Sequence, residues 1–189
     1  MNKFALYLKN TGLKTTLKRS VHVALKRSGL IASTTLLMKT EPVQKTPIEK
    51  KFDVQLLDKN RAAEFDQMKF FTHISAEQLL TDQHCRVYLA IIDGNIAGYT
   101  MSEFDKQKEI HNLGTFLLKK GEGWIGPSFV DAAFRSRGIH TYLIRYAMND
   151  PDLPVTQFYT AINKENIPSV RSFLCLLYTS PSPRDTERC

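Results

Sequence analysis

The sequence predicts an α/β (α+β) domain on three observations. A β-hairpin is legible at residues 87–103, a strand and a helix follow each other at 124–149, and a second strand and helix follow from residue 158. A chain of 189 residues accommodates one such domain of the usual roughly 100 to 200 residues, with an appendage. Apolar residues make up 42% and charged residues 24%, the balance of an ordinary globular protein, which excludes wholesale disorder. The longest apolar runs, such as Leu89-Ala90-Ile91-Ile92, fall far short of the ~20 residues a membrane-spanning helix needs.

The first forty residues hold no acidic side chain and nine Ser or Thr. Leu6, Leu13, Leu17, Val21 and Leu25 recur seven or four apart, forming one helical stripe, while Lys14, Lys18, Arg19, Lys26 and Arg27 mostly face elsewhere. Gly12 and Gly29 cut the pattern into short pieces. One reading is a basic amphipathic helix, making peripheral membrane contact through residues 1–40 or docking a partner. The other is an appendage packed on its own domain or a flexible arm, with an Arg-poor transit peptide as a third. Residues 1–50 carry ten Lys or Arg against two Glu, and residues 51–189 sixteen against seventeen acidic side chains. The net charge of +7 therefore belongs to the arm, and the folded part offers no case for nucleic-acid binding.

Residues 40–51, with two prolines, read as a linker, so the sequence divides into a basic arm and linker (1–50) and a domain from residue 51. Phe52, Val54 and Leu56 alternate with Asp53 and Gln55 as in a strand, and Asn60 is placed to cap a short helix through Met68. Ser75 caps a second helix over residues 76–82, with Glu77 and Gln78 in its first turn. Residues 87–92 form a buried strand, Asp93-Gly94-Asn95 a tight turn, and residues 96–103 the returning strand. A further strand is expected at 112–118, and another at 124–130 interrupted by Gly126-Pro127. Proline removes a ladder donor, so that strand must lie at an edge or carry a bulge. The turn at residues 135–138 leads into a helix at 139–149, with Ile139, Leu143 and Ala147 on one face and Pro151 and Pro154 beyond its end. Residues 158–162 form a strand, and Asn166-Ile167-Pro168-Ser169 opens a last helix with Pro168 in its first turn.

Chemistry concentrates in Val130-Asp131-Ala132-Ala133-Phe134-Arg135-Ser136-Arg137-Gly138-Ile139-His140, a small basic loop between a strand and a helix. Such a turn aims free backbone N–H groups at one point, where the helix dipole and the two arginines favour an anionic phosphate. Gly138 lets backbone come close to it.

Arg135-Ser136-Arg137-Gly138-Ile139-His140 resembles the Arg/Gln-x-x-Gly-x-Gly/Ala loop of the GNAT N-acetyltransferases, except that His140 stands where that family prefers Gly or Ala, so its side chain must point away from the phosphates or donate to them. Asn163-Lys164-Glu165-Asn166-Ile167-Pro168-Ser169 is similar to the family's segment after its fifth strand. The resemblance covers residues 52–174. It implies a mixed, mostly antiparallel sheet with helices on both faces, and transfer of an acetyl group from acetyl-CoA to a primary amine by direct attack. It also implies that Arg135, Ser136, Arg137, Gly138, Ile139 and His140 hold the pyrophosphate, that Ser128 to Val130 pair with the pantetheine arm, and that Asn166 contacts that arm. The acceptor is then a small-molecule or peptide amine. No metal is expected, and the location implied is cytoplasmic, with or without peripheral membrane contact. The catalytic residues stay unassigned: Glu103, His111, Glu122 and Asp131 are all acid–base candidates, and all read as solvated surface. Two other functions remain open, a non-catalytic acyl-CoA-binding regulator and an interaction protein acting through its basic arm.

The family's ending, with its last strands, is missing. In its place Cys175-Leu176-Leu177-Tyr178-Thr179-Ser180-Pro181-Ser182-Pro183-Arg184-Asp185 resembles a translated sequencing adapter. Residues 175–189 are accordingly expected to be a non-native tail that forms no strand pair, leaving the fifth strand of the truncated domain with an open edge. Cys85, Cys175 and Cys189 are spaced too widely for a disulfide framework or a paired metal motif, and are expected to be reduced.

Overall fold

A computed structural model of the protein describes residues 35–68, 74–110 and 114–177. Residues 1–34 and 178–189 lie outside this range, and with them the amphipathic stripe and most of the suspected tail. The strands are β1 (Thr35–Lys39), β2 (Asp53–Leu56), β3 (Cys85–Ile92), β4 (Asn95–Phe104), β5 (Gln107–Ile110), β6 (Gly114–Leu117), β7 (Gly121–Val130) and β8 (Val155–Asn163). The helices are α1 (Ala62–Met68), α2 (Ala76–Thr81), α3 (Ile139–Asn149) and α4 (Ile167–Leu177), with a short 3-10 turn at Ala132–Phe134. The six-stranded sheet has the order β1-β8-β7-β4-β3-β2, with every neighbouring pair antiparallel except β7 and β8, while β5 and β6 form a separate hairpin.

The hairpin of β3 and β4 turns at Asp93 and Gly94, both with positive φ, which suits the twist of the strands it joins. Ser75 closes a capping box with Gln78 at the start of α2. At α1 the expected cap shifts by two residues: the Asp58 carboxylate, not Asn60, accepts from the Arg61 N–H at 2.9 Å, while Asn60 only braces Asp58. β5 falls in a stretch whose polar composition concealed it, because a small outlying sheet needs no apolar alternation. Among the expected strand residues of β2, Phe52 and Val54 pack on the core whereas Leu56 is exposed.

Two apolar layers sandwich the sheet. On one face Tyr88, Ala90, Ile125 and Phe158 meet Ile139, Leu143 and Ala147 of α3 and Phe173 of α4. On the other, Leu89, Tyr99, Met101 and Phe129 meet Phe65 of α1 and Leu79 of α2. The predicted stripe of α3 is thus its buried face. Cys85 is a buried free thiol, but Cys175 is disulfide-bonded, against the expectation of reduced cysteines.

The stretch read as a linker runs as a strap along the domain. β1 pairs with β8 from Thr35↔Asn163 to Lys39↔Tyr159. Thr40 exchanges bonds with Phe158, its N–H donating to the carbonyl at 2.9 Å and its Oγ1 accepting from the N–H at 2.9 Å. Val43 N–H donates to Thr156 O, Lys45 Nζ to Leu153 O, and Thr46 N–H to Asn149 Oδ1. The edge of β8 that was expected to be open is therefore covered by β1. α4 continues through Leu177, so residues 175–177 are helical.

Candidate active site

Gly126-Pro127 bends the middle of β7. Opposite the three residues Thr100 to Ser102 of β4, β7 runs four, from Ser128 back to Ile125, so it carries one extra residue. Of the two placements that proline allowed, the strand takes the bulge and not the edge. Gly126 has φ +114°, a conformation open to glycine, and the Gly126-Pro127 peptide is cis.

Beyond this point β7 and β8 part. Their parallel pairing covers only Gly121 to Trp124 against Val155 to Tyr159, after which β8 continues on β1 and β7 on β4. A wedge opens toward the carboxyl ends of both strands, the place where open α/β sheets bind ligands. β7 leads from it through the loop to α3, and β8 leads to α4. Gly138 is the N-cap of α3 at φ +79°, a conformation costly for any residue with a Cβ. The first intrahelical bond joins Tyr142 N–H to Gly138 O, so Ile139, His140 and Thr141 present N–H groups with no intrahelical acceptor.

The structure brings most of the predicted binding residues to this wedge. Arg135, Ser136, Arg137 and Gly138 are exposed at its mouth, and Ser136 also has positive φ. Arg135 Nε donates to Val130 O at 3.1 Å, and the Arg137 guanidinium lies 5.6 Å from the Phe134 ring. Ser128 Oγ is 2.6 Å from Thr100 Oγ1. Ile139 is core, so only its backbone faces the loop. Asn166 is exposed at the start of α4, on the other side of the opening.

His140 turns away. Its ring meets Phe173 of α4 edge-on at 5.9 Å, and burial lowers its pKa to about 4. A neutral imidazole packed between α3 and α4 replaces the small residue of the resembled pattern, its ring on Phe173. Because the unfolded chain takes up this proton near pH 6.5 and the folded chain only near 4, stability falls as pH drops through that window. In His140→Gln that slope is expected to flatten, as read by urea midpoints at pH 7, 6 and 5.

The four acid–base candidates separate. His111 lies outside the described residues. Glu103 is not solvated surface: it is 4% exposed and neutralised by Lys106 at 2.9 Å and by Lys108. Asp131 accepts from Ala133 N–H and caps the 3-10 turn. Glu122 stands at the closed end of the wedge, accepting from Tyr159 OH at 3.0 Å and from Lys119 N–H at 3.0 Å. Beside it the hairpin lays Phe116 on Tyr159 (ring centroids 4.8 Å) and on Trp124 (6.4 Å). Nothing in the sequence spacing announced the pairing of Glu122 with Tyr159, since 37 residues separate them. Cys85 is no nucleophile, its thiol pushed up to about 12 by burial. Among the described residues no group of three or more His, Cys, Asp or Glu converges as a metal site, and no helix is long and apolar enough to cross a membrane.

A bulged strand, a wedge and a left-handed helix cap at its mouth define a mixed α/β fold with a cleft where its sheet splits. The chain belongs to the acetyltransferase (GNAT) family, whose profile matches residues 52–173. Arabidopsis thaliana NAA60 in complex with acetyl-CoA is similar at 18% identity over 67% of this chain and 83% of that one, with a TM-score of 0.50. The aminoglycoside N-acetyltransferase AAC(6')-Iy in complex with a bisubstrate analog matches at 17% over 68% of this chain and 90% of that one, also at 0.50. A ribosomal-protein-alanine N-acetyltransferase from Brucella melitensis biovar Abortus 2308 matches at 25% over 51% of this chain and 69% of that one, at 0.38. The likeness to NAA60 and to AAC(6')-Iy, at these identities, is one of fold. The search of curated proteins found no match.

Proposed function

We propose that the protein is an N-acetyltransferase that moves the acetyl group of acetyl-CoA to a primary amine. The observation that carries this reading is the wedge between β7 and β8, which ends on the left-handed Gly138 cap of α3. The residues fit the donor: the amides of Ile139, His140 and Thr141 with Arg135 and Arg137 suit a diphosphate, and the β7 edge beyond Trp124 suits an extended amide arm. When bound, acetyl-CoA supplies a thioester whose carbonyl carbon accepts the amine.

The chain's own groups account for the rest. Backbone N–H near the bulge can polarise the carbonyl, because the extra residue turns strand amides out of the ladder. The acceptor enters from the side of Phe116 and Tyr159, half-buried rings that pack over the buried Trp124 and can hold an apolar or sugar-like body next to a carboxylate. As the N–C bond formed and the C–S bond broke, the proton shed by the amine nitrogen would pass to Glu122, directly or through the Tyr159 hydroxyl that bonds to it, and CoA would leave as its thiolate, to be protonated from solvent. Isothermal titration with acetyl-CoA, followed by thiol release on a panel of amines, tests the reading. Binding at tens of micromolar with turnover on an amine is expected. No binding overturns it, and binding without turnover favours a regulatory acyl-CoA-binding protein.

A further inference from the structure

Lys51, at the end of the N-terminal strap, is a third cation at the anion site. A Cβ placed on Gly138 would lie 3.7 Å from Lys51 Nζ, so the ammonium hangs over the N-cap of α3. It is held there by its backbone: Lys51 N–H donates to Tyr142 OH at 3.2 Å, that hydroxyl donates to Glu49 O at 3.3 Å, and Phe52 packs edge-on against the Tyr142 ring at 5.2 Å. Tyr142 lies one turn into α3, bonded through its N–H to Gly138 O. The strap is thus fastened to the first turn of the helix that carries the loop.

The charge balance at this point is one-sided. Lys50 pairs with Asp53 at 3.6 Å, but Lys51 forms no ion pair among the described residues and rests only near the Phe52 ring, at 5.7 Å. The amino end of a helix already carries partial positive charge, and Arg135 and Arg137 stand in the same loop. An ammonium held over that end is repelled by it unless an anion lies between them. Building on the proposed donor, we infer that Lys51 binds the diphosphate of acetyl-CoA, its Nζ donating to an oxygen that the α3 amides hold from the other side. The strap therefore contributes to donor binding as well as covering β8.

Titration calorimetry of the full chain with CoA and with 3′-dephospho-CoA tests this, using wild type, Lys51→Met, Lys51→Arg and Lys50→Met. One partly solvated ammonium–phosphate contact is worth about tenfold in affinity at low salt. Lys51→Met is expected to weaken both ligands by the same ~10-fold, with the gap narrowing at about 0.5 M salt. Lys51→Arg should recover most of the loss, and Lys50→Met should bind like wild type. Undiminished binding by Lys51→Met overturns the inference, as does a loss confined to CoA, or an equal loss in Lys50→Met. Failure of wild type to bind either ligand overturns the donor reading itself, a distinct outcome.

Discussion

Glu122→Gln is expected to lower kcat by ~10²- to 10⁴-fold, the usual contribution of a positioned proton acceptor, while leaving the affinity for acetyl-CoA within about twofold. The substitution keeps the size of the side chain and its ability to accept from Tyr159 OH and Lys119 N–H, so the closed end of the wedge should stay intact. What disappears is a group that can take the ammonium proton. Raising the pH should not restore wild-type rate, because a carboxamide does not become a base in the accessible range. Tyr159→Phe should fall less, by about tenfold or under, if the hydroxyl only orients the carboxylate. A Glu122→Gln rate within threefold of wild type on a competent amine would remove Glu122 from the reaction.

Asp150→Ala is expected to cost about 2 to 3 kcal/mol of stability, below the full cost of breaking a wholly buried pair because Arg86 remains partly solvated. Asp150, at the C-cap of α3, accepts from Arg86 at 2.7 Å and from Tyr88 OH at 2.6 Å, and braces the Asp152 N–H at 3.0 Å. Removing the carboxylate leaves the buried Tyr88 phenol without its acceptor and Arg86 with the Asp152 carbonyl but no carboxylate partner. Burial acts to raise its pKa, but the bonds from Tyr88, the Asp152 N–H and Arg86 outweigh it and hold the group below its ordinary 3.8. A depressed folded pKa means that this stabilisation is complete above 3.8 and is lost as pH falls below it. The difference between Asp150→Ala and wild type in urea midpoints should therefore be large at pH 7 and shrink below pH 3. A constant difference at both pH values would show that the loss is one of packing alone.

Local signals had local causes, and those were legible. The hairpin at Asp93-Gly94 follows from two positions that tolerate positive φ, the cap at Ser75 from a side chain that reaches its own helix, and the face of α3 from the 3.6-residue period. The bulge in β7 was already implied by a proline that cannot donate, although whether bulge or edge was left to the neighbours of the strand. The turn proposed to bind phosphate was legible as a turn for the same reason, since Arg135 to Gly138 are contiguous and the helix they open is periodic.

Everything that depends on distant pairing was decided by the tertiary structure. Residues 40–51 look like a linker because their donors bond to Phe158, Thr156 and Asn149, more than a hundred residues away, and such partners leave no pattern in the segment itself. Glu103 reads as surface until two lysines close over it, and whether His140 points away from the loop or donates into it stays open until Phe173 supplies the face it packs on. Glu122 acquires Tyr159, and Gly138 acquires Lys51, only because β8 lies parallel to β7 for a few residues and the strap crosses to α3. The sequence by itself determined most of the strands, the helices and the turn into α3, since each arises from steric and hydrogen-bonding preferences over a few residues. Which side chains share the wedge was decided by the folded chain alone, because contact between residues far apart depends on sheet order and strand register, quantities that no single segment encodes.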